Sequence, residues 1–95
     1  MQRDTKLRLS SDVVFRELDG ESVVLDLSSG RYFGLNAVGT RVWQLIGEGG
    51  AVDGLIKTVT AEYEADEATI ERDVLALLEE LETRGLVVAA TRDTP

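Results

Sequence analysis

The apolar residues of this 95-residue chain change their spacing once, at Asn36, and that change constrains the fold more than any other feature. Before it, from Val13 to Leu35, they recur with the short period of strands. After it, from Val38 onward, they recur every three or four residues, the spacing of one helix face. A chain of this length holds one core, so the two halves must pack on each other. The expected class is α+β.

The strand half resolves into three segments. Residues 13–18 (Val-Val-Phe-Arg-Glu-Leu) end at Asp19-Gly20-Glu21, a strong turn signal. Residues 22–27 follow, with Val23, Leu25 and Leu27 expected on the core face and Val24 and Asp26 on the other. Ser28-Ser29-Gly30 makes a second turn. Residues 31–35 (Arg-Tyr-Phe-Gly-Leu) form the third strand, with Phe33 and Leu35 sharing a face. The expected product is a three-stranded antiparallel meander whose outer strands are the first and the third.

The helix half also has three parts. Asn36 is a good N-cap for a helix over 37–46, which carries Val38, Val42, Trp43, Leu45 and Ile46. Three glycines within 47–50 end it. A second helix over 52–63 shows Val52, Leu55, Ile56, Val59 and Tyr63. The third, 66–84, begins at Asp66 with Glu67 in its first turn, carries Ile70, Val74, Leu77, Leu78 and Leu81, and stops at Gly85. Leu86-Val87-Val88 then docks as a short tail or strand. Three strands followed by three helices, the last the longest, has the outline of a winged helix-turn-helix. The expected core is Leu25, Leu27, Phe33, Leu35, Val38, Val42, Trp43, Ile46, Leu55, Ile56, Val59, Ile70, Val74, Leu77, Leu81 and Leu86. Residues 9–89 are expected to form one domain, with 1–8 and 90–95 as flexible ends. Trp43, central in its stripe, is expected in the core rather than as an anchor for a partner.

Composition excludes more than it suggests. There is no cysteine and no histidine, which removes disulfides, zinc sites and the usual nucleophilic triads. No spaced Asp/Asn loop suits calcium, so neither a metal nor a cofactor is expected. The chain holds 18 acidic and 10 basic residues, a net charge of −8. Residues 61–82 contribute nine acids and only Arg72 as a base, so that stretch carries the whole imbalance. Such a surface disfavours nucleic acid and anionic membranes. No apolar run approaches the ~20 residues that span a bilayer, and residues 1–10 lack a signal-peptide core. A cytoplasmic, bacterial location is the default expectation.

The order of short motifs suggests a family. Val24-Leu25-Asp26, then Gly30-Arg31-Tyr32-Phe33-Gly34-Leu35-Asn36, Gly39-Thr40 and Val42-Trp43-Gln44-Leu45-Ile46, resembles the PqqD-like proteins. Tyr63, Asp66, Ile70, Asp73-Val74, Leu77-Leu78, Leu81 and Gly85-Leu86-Val87 continue the resemblance, which runs from about Leu9 to Val88. That family includes the protein required for making pyrroloquinoline quinone and small stand-alone relatives encoded with lasso-peptide enzymes. The resemblance implies a peptide recognition element. It would bind the leader of a ribosomally made precursor and present it to a modifying enzyme such as a radical-SAM enzyme, protease or cyclase.

The resemblance also implies where. The leader adds as a strand to the third strand, in the groove between it and the third helix, so Arg31, Tyr32, Phe33, Gly34 and Leu35 form one wall. Residues 31–35 carry no Pro or Lys to block such pairing. Helical geometry places Leu75 beyond the core stripe. On that basis Glu71, Val74, Leu75, Leu78 and Glu82 are assigned to the second wall; Asp73, Ala76, Glu80 and Arg84 lie on the opposite flank, a chemically distinct candidate wall.

Three competing functions are weaker. DNA binding needs a basic recognition helix, but the second helix has only Lys57 and the third is acidic. A carboxylate enzyme needs two acids converging in a pocket. A bare adaptor or dimerisation domain is the remaining alternative. Val14, Val24 and Tyr32 are candidates for an apolar sheet face where a second copy or an enzyme docks. The oligomeric state is open, because a hinge at 47–50 would permit exchange of elements in a homodimer.

Overall fold

The computed structural model describes residues 1–90. Five strands and three helices follow in the order β1 (Lys6–Leu9), β2 (Val13–Leu18), β3 (Glu21–Asp26), β4 (Arg31–Leu35), α1 (Ala37–Gly47), α2 (Val52–Tyr63), α3 (Glu67–Thr83) and β5 (Val87–Ala90). The expected meander is present as an antiparallel sheet in the order β2-β3-β4, followed by the three helices. Its first turn is tight. Asp19 and Gly20 both take positive φ, 54° and 83°, the pair of left-handed residues that a two-residue hairpin with the right twist requires.

Helix limits fall where the caps predict. Asn36 accepts from the Gly39 amide at 2.9 Å and Asp66 from the Thr69 amide at 3.1 Å. Each satisfies one of the free amides of a first turn. Trp43 is buried and stacks on Phe15 of β2, with ring centroids 5.8 Å apart. A buried hydroxyl pair, Ser22 and Thr40 at 2.7 Å, joins β3 to α1.

Two expectations are corrected. The core face of β3 is Val24, fully buried, and not Leu25 and Leu27; Leu27 is exposed and Leu25 half-buried. Both faces of β3 are apolar, so counting apolar residues along it cannot choose between them. The register does: Val24 lies opposite Phe15 on β2 and Phe33 on β4, and that aromatic pair faces the helices. Val23, Leu25 and Leu27 are left on the far face with Val14 and Tyr32.

The N-terminus is not loose. Residues 6–9 form β1, which pairs antiparallel with β5 in a second, two-stranded sheet, and Leu7 is buried. The cause lies at α2, whose N-cap is Ala51, with no side-chain oxygen to offer. Its first amides are met instead by main-chain carbonyls: Val52 donates to Thr5 at 2.9 Å and Asp53 to Arg3 at 2.7 Å. The Arg3 side chain then reaches Asp53, Glu67 and Glu71, tying α2 to α3. The expectation for the far end falls, beyond Ala90, outside the described residues.

Candidate functional site

β4 is an edge strand, and the register identifies which of its backbone groups are free. The Leu18–Glu21 pair closes the two-residue hairpin, and further along the Leu27 amide donates to Asp12 at 2.9 Å. In an antiparallel ladder, bonded and non-bonded pairs alternate. Val23 and Leu25 therefore direct their amides and carbonyls to β2, and Ser22, Val24 and Asp26 direct theirs to β4. Their partners Leu35, Phe33 and Arg31 are thereby satisfied. Tyr32 and Gly34, between them, turn their N–H and C=O outward, where no strand lies among the described residues.

Beside that edge runs a groove of about 440 Å3 between β4 and α3. Phe33, Leu35, Val38 and Val42 line it on one side, and Ile70, Val74 and Leu77 on the other, with Asp73 and Glu80 at its rim. Gly39 lets α1 close on the end of β4 within the first of these walls: a Cβ there would lie 3.1 Å from Leu35 Cδ2. At the end nearer the β3–β4 turn, a second hollow of about 280 Å3 continues the line, bordered by Arg31, Tyr32, Phe33, Thr83 and Arg84. The Arg84 guanidinium sits over the Phe33 ring, 4.9 Å from its centre, and pairs with Glu80 at 3.1 Å. Asp26, on the same border, accepts from Ser28 and Ser29, which hold its pKa below the usual carboxylate range.

The structure brings together six of the ten residues assigned to the site from sequence. Arg31, Tyr32, Phe33, Gly34, Leu35 and Val74 line the two hollows. Glu71, Leu75, Leu78 and Glu82 do not. Leu78 is fully buried. Glu71 is bonded to Arg3 at 2.7 Å, and Glu79 pairs with the N-terminal ammonium at 3.7 Å. Leu75, one turn from each, lies on the flank that the N-terminal segment covers. The groove wall is the opposite flank, where Asp73, Leu77 and Glu80 follow one another, with Arg84 beyond. Leu77, counted as core, is half-buried and forms the apolar middle of that wall.

The far face of the three-stranded sheet is a separate surface. Val14, Leu18, Val23, Leu27 and Tyr32 are all exposed there. Among the described residues no helix is long and apolar enough to cross a membrane.

A groove beside a free strand edge, on a meander backed by three helices, describes a peptide-binding domain of winged-helix type. The family model for coenzyme PQQ synthesis protein D (PqqD) matches residues 21–87, and the chain belongs to that family. It is similar to a solved structure of TbiB1 in complex with the TbiA(beta) leader peptide. The two are 38% identical with a TM-score of 0.81, over 88% of this chain and 98% of that one. It is also similar to a lasso peptide synthetase B1 complexed with the leader peptide, at 29% identity and a TM-score of 0.70, over 86% and 96% of the two chains. Comparison with curated protein sequences gives no significant match.

Proposed function

We propose that the protein binds the leader segment of a ribosomally synthesised precursor peptide and presents that precursor to a separate modifying enzyme. The observation that carries this is the free edge of β4 alongside an apolar groove. An extended peptide pairing with Tyr32 and Gly34 satisfies the outward backbone groups. Its alternate side chains then enter the groove against Leu77, Val74 and Phe33. The leader complexes of the two similar proteins support the same reading.

The role is binding rather than catalysis, exercised in the cytosol where a ribosomal product is released. The chain has no His or Cys, and the acids near the groove stand at its rim, not converging on a point. The exposed apolar face of the sheet supports docking of the enzyme on the side away from α3, so that leader and enzyme are held together. Titration with the leader of a short precursor encoded beside this protein's gene tests the proposal. Binding by wild type that is lost in Gly34→Pro is expected; full binding by Gly34→Pro would overturn it.

A further inference from the structure

The groove is charged differently at its two ends. Where Leu35 and Ile70 meet, its border holds one carboxylate, Asp73, and no cation; Glu80, seven residues further along α3, stands toward the other end, paired with Arg84. At the turn end the border holds two guanidiniums, Arg31 and Arg84, against one carboxylate, Asp26. Several of these charges are already engaged: Glu80 with Arg84, and Asp26 with its own turn serines. Asp73 and Arg31 have no side-chain partner among the described residues, and they stand at opposite ends. Arg31 lies on the same strand face as Phe33 and Leu35, the face that looks toward the groove.

Spacing follows from helix and strand geometry. Asp73 and Arg84 are eleven residues apart on and just beyond α3, a rise of roughly 16 Å. An added strand covers that length in about five residues. Side chains that enter the same groove must be an even number apart, and on β4, with which the added strand runs in step, Arg31 and Leu35 at the two ends are four apart, so the two ends are reached by residues four apart. The residue midway meets Phe33 and Leu77.

Resting on the peptide-binding reading above, we infer that the groove selects a charge-polarised segment. That segment has an acidic side chain at the Arg31 end, an apolar one two residues on and a basic one four residues on, at Asp73. The charges set which way the segment lies; the backbone bonds of Tyr32 and Gly34 do not distinguish one sequence from another.

The test is a selection from an mRNA-displayed library of random 15-residue peptides, on wild type, Asp73→Lys and Arg31→Glu. Both positions are exposed, so the variants should keep the fold. Wild type should enrich an acid and a base four apart with an apolar residue between. Each charge should count about two- to fivefold, as exposed ion pairs do. Asp73→Lys should keep its binders but replace the basic preference by an acidic one, and Arg31→Glu should invert the other end. Every enriched pool is then passed over Gly34→Pro. Binders lost on Gly34→Pro yet indifferent to the charge changes would overturn the charge inference and leave the groove reading standing. Binders indifferent to Gly34→Pro, or a library that enriches nothing, would overturn both.

Discussion

Leu77→Glu separates the two flanks of α3, and the size of its effect follows from burial. Leu77 is half-buried beside Phe33 in the free protein. Burying a leucine completely contributes ~1.5–3 kcal/mol, so the part still open to a ligand is worth about 1 kcal/mol. A carboxylate set against an apolar ligand side chain adds about 1 kcal/mol, at the low end of the range because its tip reaches solvent. Together these predict a loss of about 2 kcal/mol, close to thirtyfold in Kd. Leu77→Ala, which adds no charge, should lose about fivefold. The matched control is Leu75→Glu, the same change at another half-buried leucine on the flank occupied by the N-terminal segment. It should alter Kd by less than twofold. The assay is fluorescence anisotropy with a labelled leader peptide, with thermal melts to show that each variant is folded. If Leu75→Glu weakens binding tenfold or more while Leu77→Glu does not, the groove has been placed on the wrong side of α3.

Other consequences are independent of that flank. Leu7→Ala removes a buried side chain from β1 and should cost about 2–4 kcal/mol, lowering Tm by about 10 °C or more; an unchanged melt would mean that residues 6–9 do not hold the fold. Asp53 is held below the usual carboxylate range by Arg3 and then Lys57, and Glu62 by Arg41. Their pKa values are lower folded than unfolded. The stability they contribute is therefore whole above about pH 5 and lost as pH falls through the lowered values. Melts from pH 7 to pH 2 should show that acid-side decline weakened in Arg3→Ala. Unrelated DNA duplexes should not shift at tens of micromolar protein and physiological salt, a level at which non-specific binders do. The one cation of α2, Lys57, already pairs with Asp53 at 3.2 Å.

Much of this architecture is legible in the sequence, and the exceptions have physical causes. Asn36, Asp66 and Gly85 mark helix ends because capping is local chemistry, and the Asp19-Gly20 turn sets the β2–β3 register for the same reason. The face of β3 was not legible: Val24 and its neighbours Val23 and Leu25 are all apolar, and only the aromatic residues across the sheet decide between them. β1 escaped because its cause is an absence. Ala51 cannot cap α2, and the carbonyls that replace it come from some fifty residues earlier in the chain. On the site, the strand wall 31–35 follows from the family resemblance, and its lack of edge protection agrees with that. The helix wall could not be read, since periodicity shows that α3 has two flanks beside its core stripe and leaves open which one faces β4. The Arg84–Phe33 contact and the Arg3–Glu71 pair settle that, and both are tertiary.

The most direct test of the account is an amide-shift map of labelled protein titrated with the unlabelled leader of the precursor encoded beside its gene. The account predicts shifts concentrated on β4, largest at Tyr32 and Gly34, and along α3 at Asp73, Leu77 and Glu80. Glu71, Leu75 and Glu82 should stay near their free positions. Shifts confined to β1, β5 or α2, with β4 unmoved, would contradict it.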